Sequence, residues 1–492
     1  MNRVSTVALV AVAGFCLLLA GAVDATGAAA SIARTAGTAH AAGRASAAAS
    51  SAASGRRWSA AVPVPGLAKL NVGHDAMLND LACASGGNCA AGGFYTDRAG
   101  KGQAWIASEV RGTWRAAEEV PGTARLNTGG NAAVNLVSCL APGDCVAIGE
   151  AADATDPDKQ SPFVATEAKD GTWTTARPIA PALGVAVISC PRAGHCVVAG
   201  QSAAGNASVA AEDGAAWGAS RTLPGVTALG PEGSTVDALT CTSPGNCVAA
   251  GTYDPPAAGW HQVFVASEVK GAWQRAIEVP GTARLNAGGD AQISAISCAS
   301  AGNCAVGGFY SDRAGDYFTF VADQVRGRWD AARSIPGTVD PADVAGSSVT
   351  GLRCTAAATC LAVGGFGPDG FIAVEQGGAW GKIRLVPDLT GWGTSLTAVA
   401  CQSAGNCLLT GNAQLGTGDD SFDAGAESFT MTEVKGAWSK PRVLTVADGG
   451  LTDSAVLSCD RGGDCTVGGT IQYGISYQTS PAPFSAYVAR YS

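Results

Sequence analysis

The sequence predicts an all-β chain: an eight-bladed β-propeller of four-stranded blades, closed by an N-terminal strand that completes the last blade. Three observations carry this. A cysteine pair with five residues between its members recurs eight times. A tryptophan-initiated short strand recurs in step with the pairs. The folded part begins on one strand type and ends just short of it.

The pairs are Cys83/Cys89, Cys139/Cys145, Cys190/Cys196, Cys241/Cys247, Cys298/Cys304, Cys354/Cys360, Cys401/Cys407 and Cys459/Cys465. In the fifth copy, SCASAGNC (Ser297 to Cys304), apolar β-rich sequence lies on both sides. The chain has 17 cysteines, and the odd one is Cys16. An even set at fixed spacing reads as a disulfide framework in an exported protein. With 4 histidines and one invariant cysteine spacing, zinc is the weaker reading, and no cofactor is expected.

The tryptophan landmark is a strand that ends in an apolar residue, Pro and Gly. It appears at Trp58, Trp114, Trp217, Trp273 and Trp329, with looser copies at Trp173, Trp380 and Trp438; Trp105, Trp260 and Trp392 fall outside it. In the fifth unit, strand one runs from Gln292 to Cys298 and strand two from Cys304 to Tyr310. Strand three runs from Phe318 to Val325. A turn at Arg326-Gly327 leads to strand four at Trp329, which Pro336-Gly337 stops. Successive cysteine pairs are 47 to 58 residues apart, within the range of propeller blades. Helical repeats would need amphipathic runs of ten or more residues. Trp58 begins a fourth strand, and Ser485 to Ser492 matches a third strand without its successor. The first strand therefore completes the last blade, and closure removes exposed edges.

Residues 1–25 read as a signal peptide. Arg3 is the basic region, Val4 to Ala20 the apolar run, and Ala20-Gly21-Ala22 a small-residue cleavage candidate. An uncleaved anchor is the alternative. Residues 26–55 are almost wholly Ala, Ser, Thr and Gly, an expected disordered linker, with a frayed helix as the other reading. Residues 56–492 form the propeller. The expected location is extracellular.

Net charge is −9 and the isoelectric point is near 5.0, so the chain lacks the basic footprint of a nucleic-acid binder. The acidity also argues against docking on anionic lipid. After signal cleavage no stable membrane insertion is expected, and the protein is expected to be a monomer.

The repeated Cys hairpin with its strand and G-x-W turn resembles the secreted Cys-hairpin repeat proteins of actinobacteria, from Trp58 to Ser492. The blade layout is similar to that of sialidase-type propellers, whose S-x-D-x-G-x-x-W box forms the turn between strands three and four. Here those turns read SEVRGTW (Ser108 to Trp114), TEAKDGTW (Thr166 to Trp173) and SEVKGAW (Ser267 to Trp273). Gly and Trp match, and the Asp is absent or displaced. The resemblance implies a propeller and leaves a carbohydrate-active hydrolase or lyase as one functional class.

A site belongs on the loops opposite the Cys hairpins, which are longer and more polar. Three loops between blades share a motif: Leu70-Asn71-Val72-Gly73-His74-Asp75, Leu126-Asn127-Thr128-Gly129-Gly130-Asn131 and Leu285-Asn286-Ala287-Gly288-Gly289-Asp290. Two loops between strands two and three share another: Tyr95-Thr96-Asp97-Arg98-Ala99-Gly100 and Tyr310-Ser311-Asp312-Arg313-Ala314-Gly315. Both types coincide in blades one and five, opposite each other in an eight-blade ring. The candidate ligand-binding residues are therefore Asn71, Asp75, Tyr95, Asp97, Arg98, Asn286, Asp290, Tyr310, Asp312 and Arg313. The competing reading is a self-paired Asp-Arg-Ala-Gly turn with Leu-Asn-x-Gly as loop packing. His261 beside Trp260 suits a sugar or simply a surface aromatic loop. Asp153, Asp156 and Asp158, and Asp419, Asp420 and Asp423, are acidic loop clusters without a full Ca²⁺-loop pattern. The chain carries no G-x-S-x-G elbow, H-E-x-x-H helix or Walker loop. The sequence therefore favours a non-enzymatic binding protein for an extracellular glycan, cell-wall polymer or protein.

Overall fold

In a computed structural model the described residues are 56–492, apart from 180–182, 215, 257–259, 339–345, 416–425, 448, 461 and 474–482. The side chains at 156–159 and 455 are likewise not described. The signal and linker assignments and the Asp419, Asp420 and Asp423 cluster lie outside the described residues, as do the side chains of Asp156 and Asp158. The chain forms eight antiparallel sheets, each meandering from an inner to an outer strand. The inner strands are Ala76–Ser85, Ala132–Ala141, Leu183–Arg192, Gly233–Ser243, Ala291–Ser300, Ser347–Ala356, Thr394–Ser403 and Leu451–Cys459. Blades are numbered one to eight in that order.

Blade five shows how local sequence makes the sheet. The inner strand Ala291–Ser300 pairs with Asn303–Ser311, and Cys298 lies directly opposite Cys304. All eight predicted disulfides are formed, each within one hairpin. The third strand is Tyr317–Val325, and the outer strand begins at Arg328–Trp329. The turns of one blade end are tied together: Gly327 N donates to Gly302 O (2.8 Å), and Arg326 N to Asn303 Oδ1 (3.1 Å). The Cys hairpins and G-x-W turns therefore share one face of the ring, and the remaining loops share the other.

Half of each staple is core. The second cysteine of every pair is buried: Cys89, Cys145, Cys196, Cys247, Cys304, Cys360, Cys407 and Cys465 are each 4% exposed or less. Cys190 and Cys354, first members of their pairs, are buried as well. The cause is strand alternation. The second cysteine faces the preceding blade, so its sulfur fills the gap between two sheets. Cys89 Sγ lies 3.5 Å from Thr466 Oγ1 of blade eight. Cys196 joins the cluster of Val146 and Ile148, Cys247 that of Val197 and Ala199, Cys407 that of Leu361 and Val363, and Cys465 that of Leu408. These cysteines are therefore packing residues between blades as well as staples within them, and none is open to a ligand.

Seven of the eight blade cores are built around an aromatic ring on the third strand; that of blade three, Ala207–Asp213, carries none. Trp105, Phe163, Phe264, Phe320, Phe371, Phe429 and Tyr487 are each wholly buried. Each lies across from a second-strand glycine, as in the Gly149–Phe163 and Gly308–Phe320 pairs. A Cβ on Gly149 would stand 2.3 Å from the Phe163 ring, so only glycine lets the ring lie flat on the strand. Trp105, outside the tryptophan repeat in sequence, is the blade-one copy of this aromatic.

The outer strands differ from a continuous reading. In blade one the strand is split into Thr113–Trp114 and Glu118–Glu119. Between them Ala117 N turns to Pro65 O of the preceding blade (2.7 Å). The same bond recurs as Ala176 to Pro121, Ala276 to Pro224 and Ala332 to Pro280. The Pro-Gly motif is thus an acceptor for the next blade as well as a strand terminator. It also precedes one-turn helices at Leu67–Leu70, Thr123–Leu126, Val226–Leu229 and Thr282–Leu285, which the sequence pattern did not predict.

The N-terminal strand Val62–Pro63 pairs with the C-terminal strand Phe484–Tyr491, as Val62 with Val488 and Pro63 with Tyr487. Trp58 packs on Tyr491 with ring centroids 5.4 Å apart, and Val64 N donates to Ala486 O. The ring is closed as predicted. Removing residues 56–65 should lower stability by several kcal/mol and promote self-association, because the blade-eight edge is then unpaired. Chemical denaturation with light scattering tests this, and an unchanged monomeric, equally stable chain would contradict it. Replacing Cys298 and Cys304 together by Ser should cost about 2 kcal/mol in the same assay.

Candidate functional site

The loop face is a set of short loops fastened to the blades on either side. The Asn of each Leu-Asn-x-Gly loop is buried. Asn71, Asn127 and Asn286 donate through Nδ2 to Phe484 O (2.9 Å), Gly102 O (2.9 Å) and His261 O (2.8 Å). Those carbonyls stand at or just before the start of the preceding blade's third strand. The glycine two residues on bonds forward: Gly73, Gly129 and Gly288 donate to Thr96 O, Ala152 O and Ser311 O. One loop thereby bolts two neighbouring blades.

The other predicted residues take these places. Asp97 accepts Ala99 N (2.7 Å), Lys101 N (3.0 Å) and Gln103 Nε2 (2.9 Å). Its own turn holds its carboxyl below the usual range, with the Lys101 amide the largest cause. Asp312 accepts Ala314 N (2.8 Å) and Asp316 N (3.1 Å) in the same way. Tyr95 and Tyr310 are buried in the blade cores, where Tyr95 donates to Glu119 (3.2 Å) and Tyr310 meets Ser334 Oγ (2.9 Å). Arg98 and Arg313 are exposed at their loop tips, and Asp75 and Asp290 are half-buried. The blade-one and blade-five sets stand four blades apart.

Among the described residues three aromatic rings are exposed on this face. Trp260 precedes the third strand of blade four, Tyr317 opens that of blade five, and Trp392 lies in the loop from blade six to blade seven; they are 39%, 43% and 51% exposed. Trp260 and Tyr317 flank the same loop. Tyr317 Oη donates to Asp290 Oδ2 (3.0 Å), while Trp260 lies against Gly289. Next to them His261 Nδ1 is 3.7 Å from Asp254 Oδ1. The sequence pointed to Trp260 and His261. Tyr317 was legible only by comparing blades one and five, where Asp316-Tyr317 replaces Lys101-Gly102.

The opposite face holds a second chemical pattern. A glutamate pairs across the sheet with the repeated tryptophan in six blades: Glu109, Glu167, Glu212, Glu268, Glu375 and Glu433. Gln324 takes the place in blade five and Tyr491 in blade eight. These groups reach the preceding blade. Trp173 Nε1 donates to Ser108 Oγ (3.0 Å), Gln324 Nε2 to Ser267 Oγ (3.2 Å), and Arg490 lies 3.6 Å from Glu109. Burial raises the carboxyl of all six glutamates. Between blades one and two, Glu109 and Glu167 line a cleft of about 350 Å³ with Arg111, Arg115 and Lys169.

The belt is tightest between blades five and six. Asp323 lies 2.6 Å from Arg333 and accepts Trp380 Nε1 at 3.4 Å. Glu375, with its side chain wholly buried, is 3.8 Å from the same guanidinium. Burial, then the Asp323 charge, push Glu375 up to about 7. The sulfur of Cys360 is close to both carboxylates, but it is bonded to Cys354 and offers no thiolate to a metal.

The class these features define is a disulfide-stapled, eight-bladed β-propeller. The chain matches no known family model and no curated protein. Among solved structures it is similar to a xyloglucanase from Xanthomonas campestris, at 13% identity over 87% of this chain and 68% of that one, with a TM-score of 0.43. It is also similar to Sqt1 from Chaetomium thermophilum, at 11% identity over 85% and 97%, with a TM-score of 0.47. A third is a neuraminidase-like protein of a flat-faced bat isolate from Peru, at 11% identity over 72% and 86%, with a TM-score of 0.37.

Carboxyls with raised pKa bind protons more tightly in the folded chain. Their stabilising contribution is full below about pH 4 and is lost as pH rises through about 7, the value to which Asp80, Asp237 and Glu375 are pushed. Thermal unfolding should therefore occur at a higher temperature at pH 5 than at pH 7.5. Glu375→Gln should flatten this decline between pH 5 and 7.5. A stability that climbs from pH 5 to 7.5 in the parent chain would contradict the assignment.

Proposed function

We propose that the chain is a non-enzymatic recognition propeller that holds an extracellular glycan, cell-wall polymer or protein on its loop face. The observation that carries this reading is the set of exposed rings, Trp260, Tyr317 and Trp392, on that polar face. A large exposed ring is costly to keep in water and is a common anchor for a partner. The loop that Trp260 and Tyr317 flank is pinned, so their order is established before a partner arrives.

The chemistry elsewhere is consistent. Eight disulfides suit an oxidising compartment. Among the described residues no helix is long and apolar enough to cross a membrane. Residues 1–25 would direct export as a signal peptide, 26–55 would be a linker ahead of the propeller, and the mature chain would be a monomer. Asp323 and Glu375 would suit acid–base work by proximity, but their side chains are 5% and 0% exposed, closed to a polymer.

The test is a purified mature chain on glycan and bacterial cell-wall arrays, with reducing-end release measured on the same polysaccharides. Binding without release is expected. Release of sugar ends with no stable retention would replace this reading with a hydrolase or lyase.

A further inference from the structure

We propose that Trp260, Asp290 and Tyr317 form a subsite for an uncharged pyranose unit of an extracellular polysaccharide. This rests on the loop-face reading above and names the ligand class.

The geometry comes first. A Cβ on Gly289 would stand 2.8 to 3.1 Å from Cδ2, Cε2 and Cγ of the Trp260 indole, atoms spread over the ring face rather than its outer edge. The ring therefore lies face-down on the glycine backbone. Since the residue is 39% exposed, its other face is turned outward. Tyr317 is held at both ends. Its hydroxyl donates to Asp290 Oδ2 at 3.0 Å, and its ring stands edge-on to Phe309, with centroids 5.3 Å apart and an interplanar angle of 82°.

The support beneath is fastened by backbone bonds. His261 N donates to Gly289 O (2.7 Å), and Asp290 N donates to Ser311 Oγ (2.9 Å). Gly289 has φ of 89°, a left-handed conformation that a side chain would resist. A larger residue there would strain the loop and meet the indole, so the platform depends on this glycine.

The chemistry selects the ligand. A pyranose presents a flat C–H face and a rim of hydroxyls. The C–H face fits an outward indole, and the hydroxyls fit a carboxylate with spare acceptor positions, a phenol and an imidazole. Asp254, Asp290, Asp312 and Asp316 outnumber Arg284 and Arg313 among the exposed or half-exposed charged groups of these loops. That balance disfavours uronate, sialate or phosphate-bearing chains. Blade one shares both loop motifs yet carries Lys101-Gly102 where blade five has Asp316-Tyr317. The aromatic pair is thus an addition to the frame rather than part of it.

Affinity electrophoresis and calorimetry with soluble glucan, mannan, xyloglucan and chitohexaose test the subsite, with polygalacturonate as the anionic probe. The parent chain should bind at least one neutral probe better than polygalacturonate. Trp260→Ala should weaken that binding at least about tenfold and Tyr317→Ala about threefold, at unchanged melting temperature. Val434→Ser, on the turn face, should leave it unchanged. Neutral-probe binding that survives Trp260→Ala, or a preference for polygalacturonate, overturns the subsite. So does the absence of binding to every neutral probe. Retention on insoluble wall material that Trp260→Ala leaves intact but Trp392→Ala abolishes overturns the subsite and keeps the loop-face reading. Retention on nothing removes both.

Discussion

The ladder between Val62–Pro63 and the strand that ends at Tyr491 is the constraint on which the ring depends. Two chain ends more than 400 residues apart supply one sheet, so the eighth blade exists only when the circle is complete. Each blade is a thin sheet with two apolar faces and cannot bury both alone. It buries them against its neighbours, and the circle removes the two that would otherwise be left over. The requirement propagates inward. Neighbouring sheets must approach closely near the axis, which favours small residues on the inner and second strands and a single large ring farther out.

Polar bonding divides between the two ends of the ring. On the turn face, glutamates and indoles reach from one blade to the one before it, and several of their atoms are buried without a partner, among them Glu268 Oε2 and Glu433 Oε2. Such atoms are costly unless protonated, and burial raises these carboxyls accordingly. On the loop face the blades are joined by backbone carbonyls and buried asparagine amides, which carry no net charge. Buried carboxyls and uncharged bolts are thus kept at opposite ends of the same strands.

The sequence displayed what is periodic and local. The Cys hairpins, the turn before each tryptophan and the closing strand are all short-range patterns, and strand positions followed from them within a residue or two. The pairing of Cys89 with Cys83 was readable in this way; the burial of Cys89 against blade eight was not, because its neighbour Thr466 lies at the far end of the chain. The break in the outer strand was hidden because the partner of Ala117 is Pro65, in another blade. The one-turn helices were hidden because four residues such as Thr282–Leu285 are too few for a helical period. At the candidate site, residue type misled where local bonding decides. Asp97 and Asp312 resemble ligand groups but are occupied by their own turns, and Tyr95 and Tyr310 look superficial but sit in the core. The glutamate belt was present as a Glu repeated before the turn in six blades. Its meaning lies in burial between blades, which a single strand does not reveal.

The buried asparagines have a consequence for how such a surface can diversify. Asn71, Asn127 and Asn286 make the same bond in blades whose loop tips read Val-Gly-His-Asp, Thr-Gly-Gly-Asn and Ala-Gly-Gly-Asp. The anchor is insulated from the tip. A substitution at a tip position other than the bonded glycine leaves the asparagine bolt between blades in place. Three of the eight boundaries thus share one frame, and the boundary before blade five carries the Trp260–Tyr317 pair upon it.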